Sequence, residues 1–570
     1  MNPLDYRRME QEALGKKKAP LVLKNAQVVN VFTDEIIAAD VALDGRWIVG
    51  VGDYTGEQEV DLKGRYLCPG LVDTHLHFES ALVRPQELVV NAAAFGTTTF
   101  IADPHESANV SGLDGIRYIL EQTEQVPANV FVMMPSCVPA APFEDNGCQL
   151  EAAQMAELAN HPRILGLGEV MDYRSVVEGA PSMYDKLQLF RGRPIDGHAP
   201  FLNPYDLNGY TMAGVRTDHE CVTFEYALEE RRRGMQILIR EGSAAKNLDA
   251  IVGGIVEHQL DCAGFCFCTD DKHIDDIRQN GSISYSVKRS IELGIPPITA
   301  IKMATIHATN CYGLRRLGAV APGYQADLIV VRDLESFDVE EVWHKGVRVS
   351  RNHSIPACTV VPCPKQLKNT VHIQPLTEED FRYSVGSQPQ PVVSLVGGQI
   401  MTKRLDMVLP SKDGWMEANQ TFNKAAVIER HRATGKIGLG AVAGFEIRGG
   451  AIASSVAHDS HNLVVIGDND RDMLCAVREL CRIQGGYVLV ENGQVVGSVP
   501  LPIMGLMSEE GFQTVQERLG AMIEKAHQMG VRQDIAPFIT LSFLALPVIP
   551  EIRITARGLY SVTDEQFLSC

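Results

Sequence analysis

Positive charge is what this sequence is short of. Lys and Arg number 52 against 71 Asp and Glu, which leaves a formal net charge of −19. A phosphate backbone needs a basic stripe to displace its counterions, so the balance excludes nucleic acid as partner and favours a neutral or cationic small molecule. Membrane-length apolar runs are missing too. The longest uncharged stretches, residues 125–143 and 383–402, are broken by Pro, Gly, Ser or Gln, so no membrane partner is expected. The N-terminal "MNPLDYRRMEQEALGKKK" carries charge early and has no apolar heart of a secretory signal, and the expected location is the cytoplasm. The 13 cysteines follow no regular frame, which excludes a disulfide scaffold. Cys262, Cys266 and Cys268 lack zinc-ribbon spacing and flank or enter the run "AGFCFC"; they are expected to be small residues filling a buried strand.

What is present is ordinary for a globular chain, with 45% hydrophobic and 22% charged residues. At 570 residues it exceeds one core and implies two to four domains. Residues 20–66 alternate and turn as short antiparallel strands, and "ADLIVVRDLESFDVEEVWHKGVRVS" at 326–350 returns to that pattern. The two pieces form one small β-domain split by an insertion, residues 1–66 and 321–355. Between them, over 67–320, eight short apolar runs end in polar or turn residues, near 70–77, 98–103, 130–136, 164–170, 195–199, 214–219, 236–241 and 265–270. Stretches such as "GLDGIRYILEQTEQ" and "QLEAAQMAELANH" read as helices between them, so the fold class is α/β with a (β/α)8 TIM-type barrel. Proline-rich residues 356–380 form a linker. A second α/β unit follows at 381–570, with a strand "NLVVIG", a helix "DRDMLCAVRELCRI" and a hairpin turning at Asn492-Gly493.

Catalytic groups of such barrels sit at the C-terminal ends of the strands. His75 and His77 end strand 1, Glu169 ends strand 4, His198 strand 5, His219 strand 6 and Asp270 strand 8. Any one of them alone is explained by core packing or helix capping; six ligand types on one rim are not. Four imidazoles and two carboxylates exceed the needs of one tetrahedral ion, and a central carboxylate can bridge two. A paired divalent centre follows, suited to Mn2+, Fe2+ or Zn2+.

The stretches "PGLVDTHLHFES", "ADPHESANVSG", "LGLGEVMDY", "DGHAPFL", "RTDHECVT", "CTDDKH" and "GGAIASSVAHDSHNLVVIG" resemble the amidohydrolase superfamily, and within it the adenine deaminase group, from about residue 20 to the C-terminus. Glu169 stands where many binuclear members carry a carboxylated lysine, as it does in that group. His198 is followed by Ala199, Pro200 and Phe201, so the His-x-x-Glu of mononuclear purine deaminases is missing. The zinc nucleobase deaminases of the other fold are excluded because no P-C-x-x-C occurs.

The resemblance implies hydrolytic deamination of adenine to hypoxanthine and ammonia, with hydroxide held by two metal ions, Mn2+ or Fe2+ ahead of Zn2+. It implies a homodimer or higher homo-oligomer. Asp270 is expected to move protons between water and the leaving amine, and one carboxyl among Glu106, Glu79, Glu220 and Glu241, with Glu106 favoured, to protonate the ring. Glu79, His105, Glu220, Glu241, Asp271, His458, Asp459 and His461 are the candidates for substrate contact. The segment 454–462 is either a turn capping its own backbone or a lid reaching the barrel mouth. The alternatives are an amidohydrolase acting on another cyclic amidine or amide or another purine base, and a silent scaffold, which is expected to have lost ligands that this chain keeps.

Overall fold

The computed structural model describes residues 3–243, 245–355, 357–399 and 401–568. Eight parallel barrel strands run Leu71–Leu76, Thr97–Ala102, Asn129–Met134, Ile164–Val170, Ile195–Gly197, Thr217–Asp218, Gln236–Arg240 and Phe265–Cys268. Strands 1–5 hydrogen-bond in sequence order as one arc and strands 6–8 as another. Backbone bonds close the seams: Arg216 N donates to Ile195 O at 3.1 Å, and Asp270 N donates to His75 O at 2.9 Å. Strand 6 pairs over two residues only, because Gly214 enters it at a φ of 108° and the chain leaves again at the rim. Along strand 8, Phe265 and Phe267 face the outer helices while Cys266 and Cys268 join Val72, Ile101, Met133 and Leu238 inside the ring. Those two thiols are barrel filling, and Cys262 is buried on the short turn before the strand.

The strands of 19–69 and 328–351 form one sheet, joined where Leu328–Val331 pairs antiparallel with Tyr66–Pro69. A helix, Pro3–Ala13, lies against it, with Met9 packed on Ala19, Val22, Ala42 and Val49. The sequence pattern gives no element there. After the linker, eight strands between Gln390 and Pro500 make a mixed sheet, with the helix Asp470–Ile483 laying Met473, Val477 and Leu480 on it. The hairpin turns at Asn492 and Gly493 with φ of 49° and 79°, the left-handed pair that a two-residue turn requires.

This C-terminal unit is seated on the barrel. One apolar core runs from barrel strands 2–4 into its sheet and its helix Pro537–Leu544. Asp145 of the barrel takes hydrogen bonds from Arg557 and Lys436, and Glu87 accepts Phe512 N at 2.8 Å. The junction matters because the strand ends of the barrel open toward it.

Candidate metal centre

Each rim residue is aimed by a local device. Asp73 accepts Thr269 N at 3.0 Å and its hydroxyl at 2.6 Å, which locks strand 1 to strand 8 and brings His75 and His77 beside Asp270. On strand 4, Gly168 leaves room for Asp103, because a Cβ there would lie 2.1 Å from Asp103 Oδ2. That same oxygen accepts Glu169 N at 2.8 Å and so fixes where the Glu169 carboxylate points. His77 Nδ1 sits 2.7 Å from Asp103 O; facing a carbonyl, this nitrogen carries the proton and leaves Nε2 as a lone pair toward the rim.

Glu169 is the hub. Its Oε1 lies 3.4 Å from His77 Nε2, 3.1 Å from His105 Nδ1 and 3.8 Å from His75 Nε2. Its Oε2 lies 3.0 Å from His198 Nδ1 and 3.4 Å from His219 Nε2. Asp270 Oδ1 is 3.1 Å from His77 Nε2 and 3.6 Å from His75 Nε2, while its Oδ2 accepts Arg240 Nη1 at 2.7 Å. Both carboxylates are buried, at 3% and 6% exposure. His75 Nε2 and His105 Nδ1 are buried donor-acceptor atoms with no hydrogen-bond partner, and three-residue ligand clusters recur through the rim, among them His75, His77 with Glu169, and Glu169, His198 with His219. Orphaned imidazole nitrogens converging on shared carboxylates are what a divalent cation satisfies, so the residues present fit such a group.

The electrostatics point the same way. Burial alone would push the Glu169 carboxyl up, yet the His105 and His198 imidazoles beside it hold it well below the usual range. Asp270 is held well below its usual range against burial, first by Arg240 and then by His75 and His77. His198 is raised to about 9 against burial by Glu220 and Glu169, whereas burial and the neighbouring His75 push His219 down to about 3. The rim thus draws positive charge to itself and keeps at least one imidazole neutral.

The six sequence-chosen ligands therefore come together. Of the other candidates, His105 faces Glu169, and Glu220 lies 3.5 Å from His219 Nε2 and is forked by Arg240. Asp271 takes the Ser80 hydroxyl, and Glu79 accepts Ser107 N at 3.1 Å. Glu106 stands in the first turn of the helix His105–Ser111, one turn beyond strand 2, and is paired with His458 of the C-terminal unit. Glu241 is not brought to the rim cluster: its carboxylate pairs with Lys246 at 2.9 Å, while Lys272 Nζ holds its carbonyl. Two further rim residues carry no ligand signal in the sequence. Asp103 and Arg240 end strands 2 and 7, but Asp103 was hidden inside "ADPHES" and Arg is not a ligand type.

Residues 66–349 match the model of the amidohydrolase family, and residues 399–566 match the adenine deaminase C-terminal domain. The barrel, its split sheet and its imidazole-carboxylate rim thus belong to the amidohydrolases, a class whose members imply a divalent metal site. The chain is 54% identical to the adenine deaminase of Desulfitobacterium hafniense (strain Y51), over 100% of this chain and 99% of that one. It is 44% identical to the adenine deaminase of Clostridium acetobutylicum, over 98% and 99%, and 44% identical to adenine deaminase 2 of Carboxydothermus hydrogenoformans, over 97% of each. The chain belongs to the adenine deaminase family.

Proposed function

We propose that the chain hydrolyses adenine to hypoxanthine and ammonia on a pair of divalent cations, Mn2+ or Fe2+ ahead of Zn2+. The observation that carries this reading is Glu169, whose two oxygens each face imidazoles from different strands, the arrangement a bridging carboxylate needs. His75, His77, Glu169, His198, His219 and Asp270 would hold the ions. When bound, such ions supply Lewis acidity that makes water nucleophilic at neutral pH.

The chain's own groups then do the proton work. Asp270, kept ionised by Arg240, accepts a proton at Oδ1 and passes it to the leaving amine. Glu106 hands the ring nitrogen a proton that the His458 imidazolium paired with it resupplies. Glu220 is fixed by Arg240 beside His198 and His219, a place from which it would meet a base held at the rim. Supporting a small neutral substrate, the rim is buried and ringed by side chains from both the barrel and the C-terminal unit.

No described helix is long and apolar enough to cross a membrane, and the twelve cysteines described are all free, which suits the reducing cytoplasm. The very exposed Tyr205 and Met212 on one barrel helix support association of copies into a homo-oligomer. The test is ammonia release from a panel of bases by the metal-loaded chain: adenine is expected to be turned over best. Preference for another cyclic amidine would overturn the assignment while leaving the metal chemistry in place.

A further inference from the structure

The loop between the C-terminal strands Gly450–Ser454 and Leu463–Gly467 does not spend its polar side chains on its own backbone alone. His458 Nδ1 is ion-paired with Glu106 Oε1, and Asp459 Oδ1 lies 3.6 Å from His105 Nε2. His105 in turn meets Glu169 through its other nitrogen, at 3.1 Å, so a continuous line of contacts leads from this loop to the centre of the rim.

The tautomer of the third loop residue follows from its neighbours. His461 Nδ1 accepts the backbone N–H of Ala457 at 3.2 Å, which places the proton of the neutral ring on Nε2. That N–H faces Glu106 Oε2 at 3.9 Å. Both oxygens of Glu106 therefore look at imidazole N–H groups from the other domain, and the carboxylate itself is only 1% exposed. Burying a carboxylate, an aspartate and two imidazoles in a domain junction costs stability unless geometry is gained in return.

The loop is also held from behind. Arg430, wholly buried, donates to His461 O, to Thr370 O at 3.2 Å and to Met504 O at 3.0 Å. His458 N donates to Ser542 O at 2.8 Å, and the Phe543 ring stacks on the His458 imidazole with centroids 4.8 Å apart. A segment merely covering the barrel would not need its main chain and its imidazole fixed from three directions.

We propose that His458 is a positioning residue for deamination: it clamps Glu106 in place over the substrate, so that the barrel's active site is incomplete without the C-terminal domain. The inference rests on the functional reading above, in which Glu106 meets the purine ring.

The test uses the full-length, metal-loaded chain. His458→Ala is expected to lower kcat on adenine by about 100-fold, the range of a misplaced proton-transfer group, with KM changed by less than about threefold. Metal content should match the wild type, while thermal unfolding is expected to fall by a few degrees because Glu106 loses its buried partner. Added imidazole should refill the space and restore a large part of kcat in this variant, and have no effect on the wild type. His458→Asn, which sets an amide N–H close to where Nδ1 stands, should retain at least about tenfold more kcat than His458→Ala. Should His458→Ala not fold, the Asn variant carries the test: kcat closer to wild type than that of His458→Leu supports the clamp, and equal losses in the two overturn it. A kcat for His458→Ala within about threefold of the wild type overturns the proposal, and so does a loss that imidazole leaves untouched. If the wild type itself releases no ammonia from adenine, the functional reading fails instead.

Discussion

Replacing Asp270 by Asn probes the proton-transfer role with little change of shape. The side chain keeps its volume, but the charge 2.7 Å from Arg240 Nη1 is lost, and with it one of the two carboxylate oxygens it presents to the rim. Removing one partner of a buried pair costs about 3–5 kcal/mol when the other is left alone. Here Glu220 still forks Arg240, so the expected loss of stability is smaller, about 1–2 kcal/mol. The rate should suffer far more. A positioned acid or base contributes roughly 10²–10⁴-fold, about 3–5 kcal/mol of barrier. The assay is kcat/KM for adenine beside thermal unfolding and metal content of the same preparation, repeated across added Mn2+. A folded variant carrying the full metal complement and at least about a tenth of wild-type activity would refute the base role. Recovery of wild-type rate on adding metal would reduce Asp270 to a ligand.

Other perturbations follow from the packing. Gly168→Ala drives a Cβ to 2.1 Å from Asp103 Oδ2, so Asp103 must release Glu169 N; a cost of about 1–3 kcal/mol and a marked loss of metal affinity are expected, read by unfolding and metal titration. Asp327 is buried, accepts Asn129 Nδ2 and Gln325 Nε2 at 2.7 Å each and faces His344 Nδ1 at 3.0 Å; Asp327→Ala leaves these groups unpaired and should destabilise the barrel base by about 3–5 kcal/mol in a denaturant melt. Asp145 is lowered below its usual range, against burial, by Arg557 and Lys436. A depressed folded pKa gives stability that is present above the unfolded value and lost as pH falls through the folded one, so the C-terminal unit should loosen below about pH 4. Limited proteolysis across that range should show it, and Asp145→Asn, weaker by about 1 kcal/mol at neutral pH, should lose the pH dependence.

Much of the rim was legible because a barrel places its strand ends together, so ligand types at the ends of strands 1, 4, 5, 6 and 8 had to meet. The same rule passes over Arg240, whose guanidinium binds no metal and instead holds the charge of a ligand carboxylate. Asp103 acts through a backbone N–H made reachable only by the missing side chain of Gly168, a three-dimensional fit that periodicity does not carry. Glu241 follows strand 7 as closely as other candidates follow their strands, but its carboxylate pairs with Lys246. The contact of Glu106 with His458 joins two domains and leaves no local pattern; the clustered polar residues of 454–462 signalled a special loop without saying which wall it would touch. The helix Pro3–Ala13 goes unread because, among its described side chains, few besides Met9 meet the sheet.

Stepwise reconstitution of the metal-stripped chain, followed by the absorbance change from adenine to hypoxanthine, tests the bridging role of Glu169 most directly. Activity is expected to be absent without metal, to reach its plateau at two ions per chain, and to stay near zero in Glu169→Gln at the same metal concentrations. A plateau at one ion, or an active Glu169→Gln chain, would contradict it.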